Sequence, residues 1–276
     1  MKLTKPIGLL AGALALTLGL SACTGTTTPS GDTGGAVAIG IKFDQPGLGL
    51  KEGDSYTGFD VEVAKYVANE LGYTSIDFKE TPSAQRETML QSDQVKMIFA
   101  TYSITDDRKK KVSFAGPYFV AGQDLLVAAN NTDITGPDAL NGKKLCSVVG
   151  STSASKVKEK FAGQVQLKEY DTYSKCVEAL ASGAIDAVTT DNVILAGFAA
   201  QPQYAGKFKV VGKPFSVERY GVGIKKGDTE LCTKINAALQ KMVSDGAWQK
   251  ALDDTVGKSG FTPDAQVNPP TPDACS

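Results

Sequence analysis

Residues 97–118 read MIFATYSITDDRKKKVSFAGPY. The run opens on four apolar residues, Met97-Ile98-Phe99-Ala100, the composition of a short buried strand. It turns polar at once. Thr101, Ser103 and Thr105 bring hydroxyls, and Arg108 follows soon after. An apolar strand that delivers hydroxyls and a guanidinium at its end suits capture of a carboxylate. Arg offers a planar fork that takes a carboxylate through two N–H groups, and short hydroxyls hold the oxygens the fork leaves free. The same residues also fit a capped surface helix, with Ser103-x-x-Asp106 as a capping box and 107–111 as a solvated charge run. The rest of the chain shifts the balance.

Strands and helices alternate on both sides of this stretch. Residues 37–42 (VAIGIK) form a short apolar strand, followed by a Gly/Pro-rich loop over 43–53. From Gly58 to Leu71, Phe59, Val63, Tyr66, Val67 and Leu71 recur at helical spacing, with Asp60 and Glu62 in the first turn and Gly72 as the stop. A strand at 76–79 and a helix at 83–92 carrying Arg86 lead into 97–100. The alternation predicts an α/β layer on a largely parallel sheet, which binds ligands at the carboxyl ends of its strands. Lys42, Thr101 and Ser103 stand at such ends.

After Tyr118 the pattern restarts. Strands are expected at 125–128, 144–149, 167–170, 187–190 and 208–211, with helices after Ser151, over 172–182 and after Asp191. Residues 220–224 are one more strand, and 229–245 an amphipathic helix. Trp248 and Leu252 continue in a second short helix, and their spacing marks Trp248 as core. From Ser259 the chain is Pro-rich and reads as loose. The halves echo each other. Leu90-Gln91-Ser92 before 97–101 parallels Leu180-Ala181-Ser182 before 187–191, and puts Thr101 and Asp191 at the same place in two similar lobes.

Composition narrows the function. The net charge is −1, so a basic face for nucleic acid is not indicated. The sequence has no His, which removes the commonest general base and most catalytic triads and zinc sites. Lys2 and Lys5 precede an apolar run over 7–20 that is too short to span a bilayer, which needs roughly 20 residues. It fits a signal-peptide core. Leu20-Ser21-Ala22-Cys23 resembles the lipobox of bacterial lipoproteins, which implies cleavage after residue 22 and lipid on Cys23. Residues 23–35 read as a flexible tether. Four further Cys, in a chain expected to be exported, point to disulfides. Three pairings are open. Cys146 with Cys176 is preferred because both fall in one βαβαβ segment, and Cys232 with Cys275 would then pin the tail. No spacing matches a metal site.

Three elements can converge on one ligand. Thr101, Ser103 and Arg108 suit a carboxylate. Gly150-Ser151-Thr152 opens a helix, where free N–H groups favour an anion, or where Ser151 is a plain cap. Asp191 suits an ammonium, or is itself a cap. Together they describe a zwitterionic amino acid gripped from both halves.

These motifs resemble the bacterial solute-binding proteins that serve ABC importers of polar amino acids, over about 37–256. GFDVEVAKYVA (58–68) is similar to the family's helix after the first strand. SITDDR (103–108) is similar to its carboxylate motif, Gly150-Ser151-Thr152 to its Gly-Thr-Thr-type turn, and Asp191 to its ammonium-binding Asp. The resemblance implies a two-lobed, type II periplasmic-binding-protein fold, each lobe a mainly parallel sheet flanked by helices. Lobe 1 is expected over 36–120 and 221–258, lobe 2 over 124–214, with crossings at 121–123 and 215–220 and a tail over 259–276. It implies capture, without catalysis or cofactor, by a lipid-anchored extracytoplasmic monomer that delivers its ligand to an ABC permease and ATPase. IKFDQPGLG (41–49) resembles glutamate-binding lipoproteins of the family, and Arg86 and Lys42 are candidates for a side-chain carboxylate. Other polar amino acids, a sensing lipoprotein, and an enzyme on the same fold are the alternatives.

Overall fold

The computed structural model describes residues 34–161 and 163–275. The expected signal peptide, Cys23 and most of the tether lie outside the described residues.

In chain order the first part runs β1 (Ala36–Ile41), β2 (Asp44–Gln45), β3 (Gly49–Glu52), β4 (Ser55–Thr57), α1 (Phe59–Glu70), β5 (Ser75–Glu80), α2 (Arg86–Gln91), β6 (Met97–Phe99), α3 (Asp106–Lys109) and β7 (Ser113–Ala121). The second part runs β8 (Gln123–Ala128), β9 (Lys144–Val148), α4 (Thr152–Lys160), β10 (Gln166–Tyr170), α5 (Tyr173–Ala181), β11 (Ala187–Asp191), α6 (Asn192–Ala199) and β12 (Phe208–Val210). The chain then returns through β13 (Glu218–Ile224), α7 (Thr229–Ser244) and α8 (Ala247–Asp254).

Two five-stranded sheets result, ordered β5-β1-β6-β13-β7 and β10-β9-β11-β8-β12. The orders match position for position. In the first sheet β1 is flanked in parallel by β5 and β6, and in the second β9 is flanked in parallel by β10 and β11, with helices in the connections. Each sheet then takes antiparallel strands on its other side. The architecture is two-lobed α/β, and the sheets are mixed rather than mainly parallel. The reason is connectivity. A parallel neighbour needs a crossover helix, whereas β8 and β13 arrive directly from the other lobe and enter antiparallel. Crossing the lobes takes a single residue between β7 and β8, and the return segment packs on it: Gln123 N–H donates to Ser216 Oγ at 3.2 Å.

Ile39 and Ile41 of β1 and all of β6 are buried, as parallel strands covered on both faces must be. In α1, Phe59, Val63 and Val67 face this sheet. Trp248 is core as expected: it packs edge-on to Phe59, stacks on Phe119, and its indole N–H donates to Tyr118 O at 2.9 Å. Two elements depart from the sequence reading. The 43–53 loop contains a small antiparallel sheet, β2-β3-β4. Residues 113–121 form a nine-residue strand despite Pro117. Proline removes a ladder donor and is tolerated only where none is needed, and β7 is an edge strand.

The tail is bonded down rather than loose. Asn268 mimics a strand against β7, accepting from Val120 N–H and donating to Val120 O, both at 2.9 Å. Asp273 N–H donates to Gly116 O, and the Asp273 side chain pairs with Arg219 at 2.7 Å. These contacts cover an edge that would otherwise be open to pairing. Both preferred disulfides are present, Cys146–Cys176 and Cys232–Cys275. Replacing Cys232 and Cys275 together by Ser is expected to cost about 3 kcal/mol. Urea unfolding reads this, and an unchanged midpoint would mean that the tail's hydrogen bonds hold it alone.

Candidate functional site

The ends of β6 and β11 correspond in the two sheets, and they face one cavity. It is small, about 10 Å³, and is lined from lobe 1 by Arg86 and Thr101, and from lobe 2 by Ser151, Thr152, Tyr173 and Asp191. Five of the eight residues expected to hold ligand therefore meet there. Ser103, Arg108 and Lys42 are not in its lining. Ser103 Oγ lies 3.4 Å from Thr152 Oγ1, and Lys42 Nζ donates to Ser83 Oγ at 2.9 Å.

Thr101 adopts φ 45°, a left-handed conformation that costs a non-glycine residue about 1 kcal/mol or more. Asp60 holds it there. Its buried carboxylate accepts from Thr101 N–H at 2.9 Å and from Tyr118 O–H at 2.8 Å. Burial pushes the Asp60 carboxyl up to about 6, against the pull of those two bonds. In sequence, Asp60 read only as a favourable first-turn acid.

Arg108 ties the lobes together. Thr105, not Ser103, caps its short helix, accepting from Arg108 N–H at 3.3 Å, so the helix is capped and its guanidinium still turns inward. Nη1 donates to Ser103 O at 2.8 Å and Nη2 crosses to Gly150 O at 3.1 Å. Gly150 is required here. Its φ is 77°, and a Cβ would stand 2.6 Å from Ala84 Cα of lobe 1. Arg108 and Arg86 both lie over the Tyr102 ring, at 4.9 and 4.3 Å. Burial, then Arg108, lowers Arg86 to about 10, and burial, then Arg86, lowers Lys42 to about 7. Lobe 1 thus brings several cationic groups together here, with Glu87 paired to Arg108 at 3.6 Å.

Asp191 is the opposite pole. It is buried, Tyr220 O–H donates to its Oδ2 at 2.5 Å, and its Oδ1 has no hydrogen-bond partner among the described residues. Burial, with Glu218 nearby, pushes its carboxyl up to about 7. Glu218 is itself paired with Lys156 of α4 across the lobes. Burial pushes Glu218 up, but the bonds from Lys156 and Ser216 outweigh that and hold it below the usual range.

Residues 37–258 match the family model of bacterial extracellular solute-binding proteins, family 3. The chain belongs to this family. It is 50% identical over 237 residues to the glutamate-binding protein GluB of Corynebacterium efficiens, covering 81% of this chain and 80% of that one. To the glutamine-binding protein GlnH of Bacillus subtilis it is 39% identical over 218 residues, 78% of each chain. Among solved structures it resembles an ancestral arginine-binding protein bound to glutamine, with a TM-score of 0.75 and 37% identity, over 80% of this chain and 98% of that one.

In this solute-binding protein, sequence reasoning missed Tyr220, Tyr173, Asp60 and the Lys156–Glu218 pair. Tyr220 and Glu218 sit on a strand that enters lobe 1 from the far end of the chain. No local pattern announces that they face Asp191. The one available signal was Asp60, an acid adjacent to Phe59 on the apolar face of α1.

Proposed function

We propose that this solute-binding protein captures an amino acid, L-glutamate by preference, closes its two lobes over it and delivers it to an ABC-type permease. The observation that carries the reading is the pairing, in one cavity, of Asp191 with its unbonded Oδ1 against the Arg86 guanidinium. The ligand ammonium meets Asp191. Its α-carboxylate enters between Arg108, Ser103, Thr101 and the start of α4 at Ser151 and Thr152, where each Arg108 Nη retains a further N–H. Its side-chain carboxylate meets Arg86, with Lys42 behind it through Ser83. Arg108 already has Glu87 as a partner at 3.6 Å, and burial lowers Lys42 to about 7 behind Ser83. Arg86 is therefore the guanidinium in the cavity lining that suits a second carboxylate better than a neutral group. The glutamate- and glutamine-binding relatives bracket the same choice. The reading assigns no catalysis.

Lobe 1 is taken as 36–120 and 221–258 and lobe 2 as 124–214, turning about 121–123 and 215–220. The protein works as a monomer, held on the extracytoplasmic side of the cell membrane by lipid on Cys23.

Calorimetry with the twenty amino acids, on protein refolded to remove carried-over ligand, tests the choice of ligand. L-glutamate is expected to give the strongest response, and a lead by a neutral or basic amino acid would overturn the preference. Arg86→Ala is expected to lose about two decades for glutamate and much less for glutamine. Unchanged selectivity would remove Arg86 from the site.

A further inference from the structure

Asp44 belongs to lobe 1, in the FDQPGLG run over 43–49, yet its carboxylate leaves that lobe. Its Oδ2 accepts from the backbone N–H and from the hydroxyl of Ser174, both at 3.2 Å. Ser174 is the second residue of α5, a nine-residue helix of lobe 2. A lobe-1 carboxylate therefore meets the N-terminal turn of a lobe-2 helix, where unpaired N–H groups and the helix dipole favour negative charge. A second contact crosses nearby. Pro46 O lies against Gly197 of α6, so near that a Cβ on Gly197 would stand 2.2 Å from it. Only glycine admits this approach. Neither Asp44 nor Pro46 lines the cavity, whereas Tyr173, the neighbour of Ser174, does.

We propose that Asp44 is a ligand-retention residue: by capping α5 across the cleft it holds the closed lobes together and slows ligand escape without touching the ligand. The proposal rests on the cleft being the amino-acid site. Both bonds to Ser174 join the lobes, so they form on closing and break on opening. Encounter with the open form does not involve them. Their free energy therefore enters the dissociation rate and leaves the association rate alone. The charge matters as well as the acceptor, because the partner is a helix N-terminus.

The test uses the full chain and L-glutamate, radiolabelled and chased with unlabelled ligand, with L-glutamine as a second probe. Asp44→Ala is expected to raise koff about ten-fold with kon unchanged. Asp44→Asn, which keeps the shape and loses the charge, is expected to fall between it and the parent. Ser174→Ala removes the hydroxyl and keeps the N–H, so its smaller increase is expected in the parent background and not in Asp44→Ala. An unchanged koff in Asp44→Ala, or a Ser174→Ala effect equal in both backgrounds, overturns the proposal. If the parent retains neither amino acid, the amino-acid reading is what fails. Small-angle scattering then still decides on Asp44: a larger radius of gyration in Asp44→Ala supports the latch, and an equal one overturns it.

Discussion

Asp191→Asn is expected to lower ligand affinity by about two decades while stabilising the ligand-free protein. The loss follows from the ligand ammonium, which would enter a buried site with no counter-charge, at a cost of about 3 kcal/mol or more. The gain follows from the environment of Asp191 itself. Burial and Glu218 raise its carboxyl to about 7. In the unfolded chain it titrates in the ordinary carboxylate range, so between that range and about pH 7 the folded protein binds a proton that the unfolded chain has lost. The stability this contributes is full at low pH and is lost as pH rises through 7. Removing the charge therefore raises Tm at pH 8 and does little at pH 4. For the parent, ligand binding below pH 7 must expel this proton, so affinity falls as pH drops from 8 to 5. Calorimetry in two buffers of different ionisation enthalpy measures the proton released. Parent-like affinity in Asp191→Asn would remove it as the ammonium partner.

Arg108→Ala is expected to cost two to three decades of affinity, about 3–5 kcal/mol. Several interactions go together: the fork offered to the α-carboxylate, the bond to Ser103 O that supports the strand end, the bond to Gly150 O that crosses the lobes, the ion pair with Glu87 and the contact with the Tyr102 ring. Arg108→Lys separates charge from geometry. A lysine ammonium is a point charge on a flexible stem and cannot serve two backbone carbonyls and a carboxylate from one plane. It is expected to recover only a small part of the loss. Full recovery by lysine would show that charge alone is required there. Retained affinity in Arg108→Ala, with an unchanged circular dichroism spectrum, would assign Arg108 to lobe contact only.

The two substitutions probe different depths of the site. Asp191 lines the cavity itself, whereas Arg108 donates to the backbone of Ser103 and Gly150 beside it. An Arg86→Ala protein that still binds but no longer separates glutamate from glutamine would complete the division into grip and selectivity.

Much of this protein was legible in its residues. The alternation of apolar strands with amphipathic helices is a local signal, because each element must bury one face against its neighbours. It located most of both sheets. The echo between 90–101 and 180–191 placed Thr101 and Asp191 at equivalent strand ends, and the matching sheet orders place them so. The even count of cysteines beyond Cys23 and their segments pointed to the two disulfides that close. What depended on distance along the chain was not legible. The strand with Pro117 was hidden because edge position, which makes proline tolerable, is decided by where the tail and β13 come to lie. Tyr220 reaches Asp191 only because β13 returns through the second crossing. Lys42 and Arg108 have the chemistry of ligand contacts, and only packing brings them onto Ser83, Ser103 and Gly150. Asp44 looked like a loop acid until the lobes placed it on α5. The sequence by itself determined the element types and the chemical kinds of group available. Tertiary structure alone decided which of them face the cavity and which join the lobes, because a closed two-lobed chain brings together residues that no local periodicity relates.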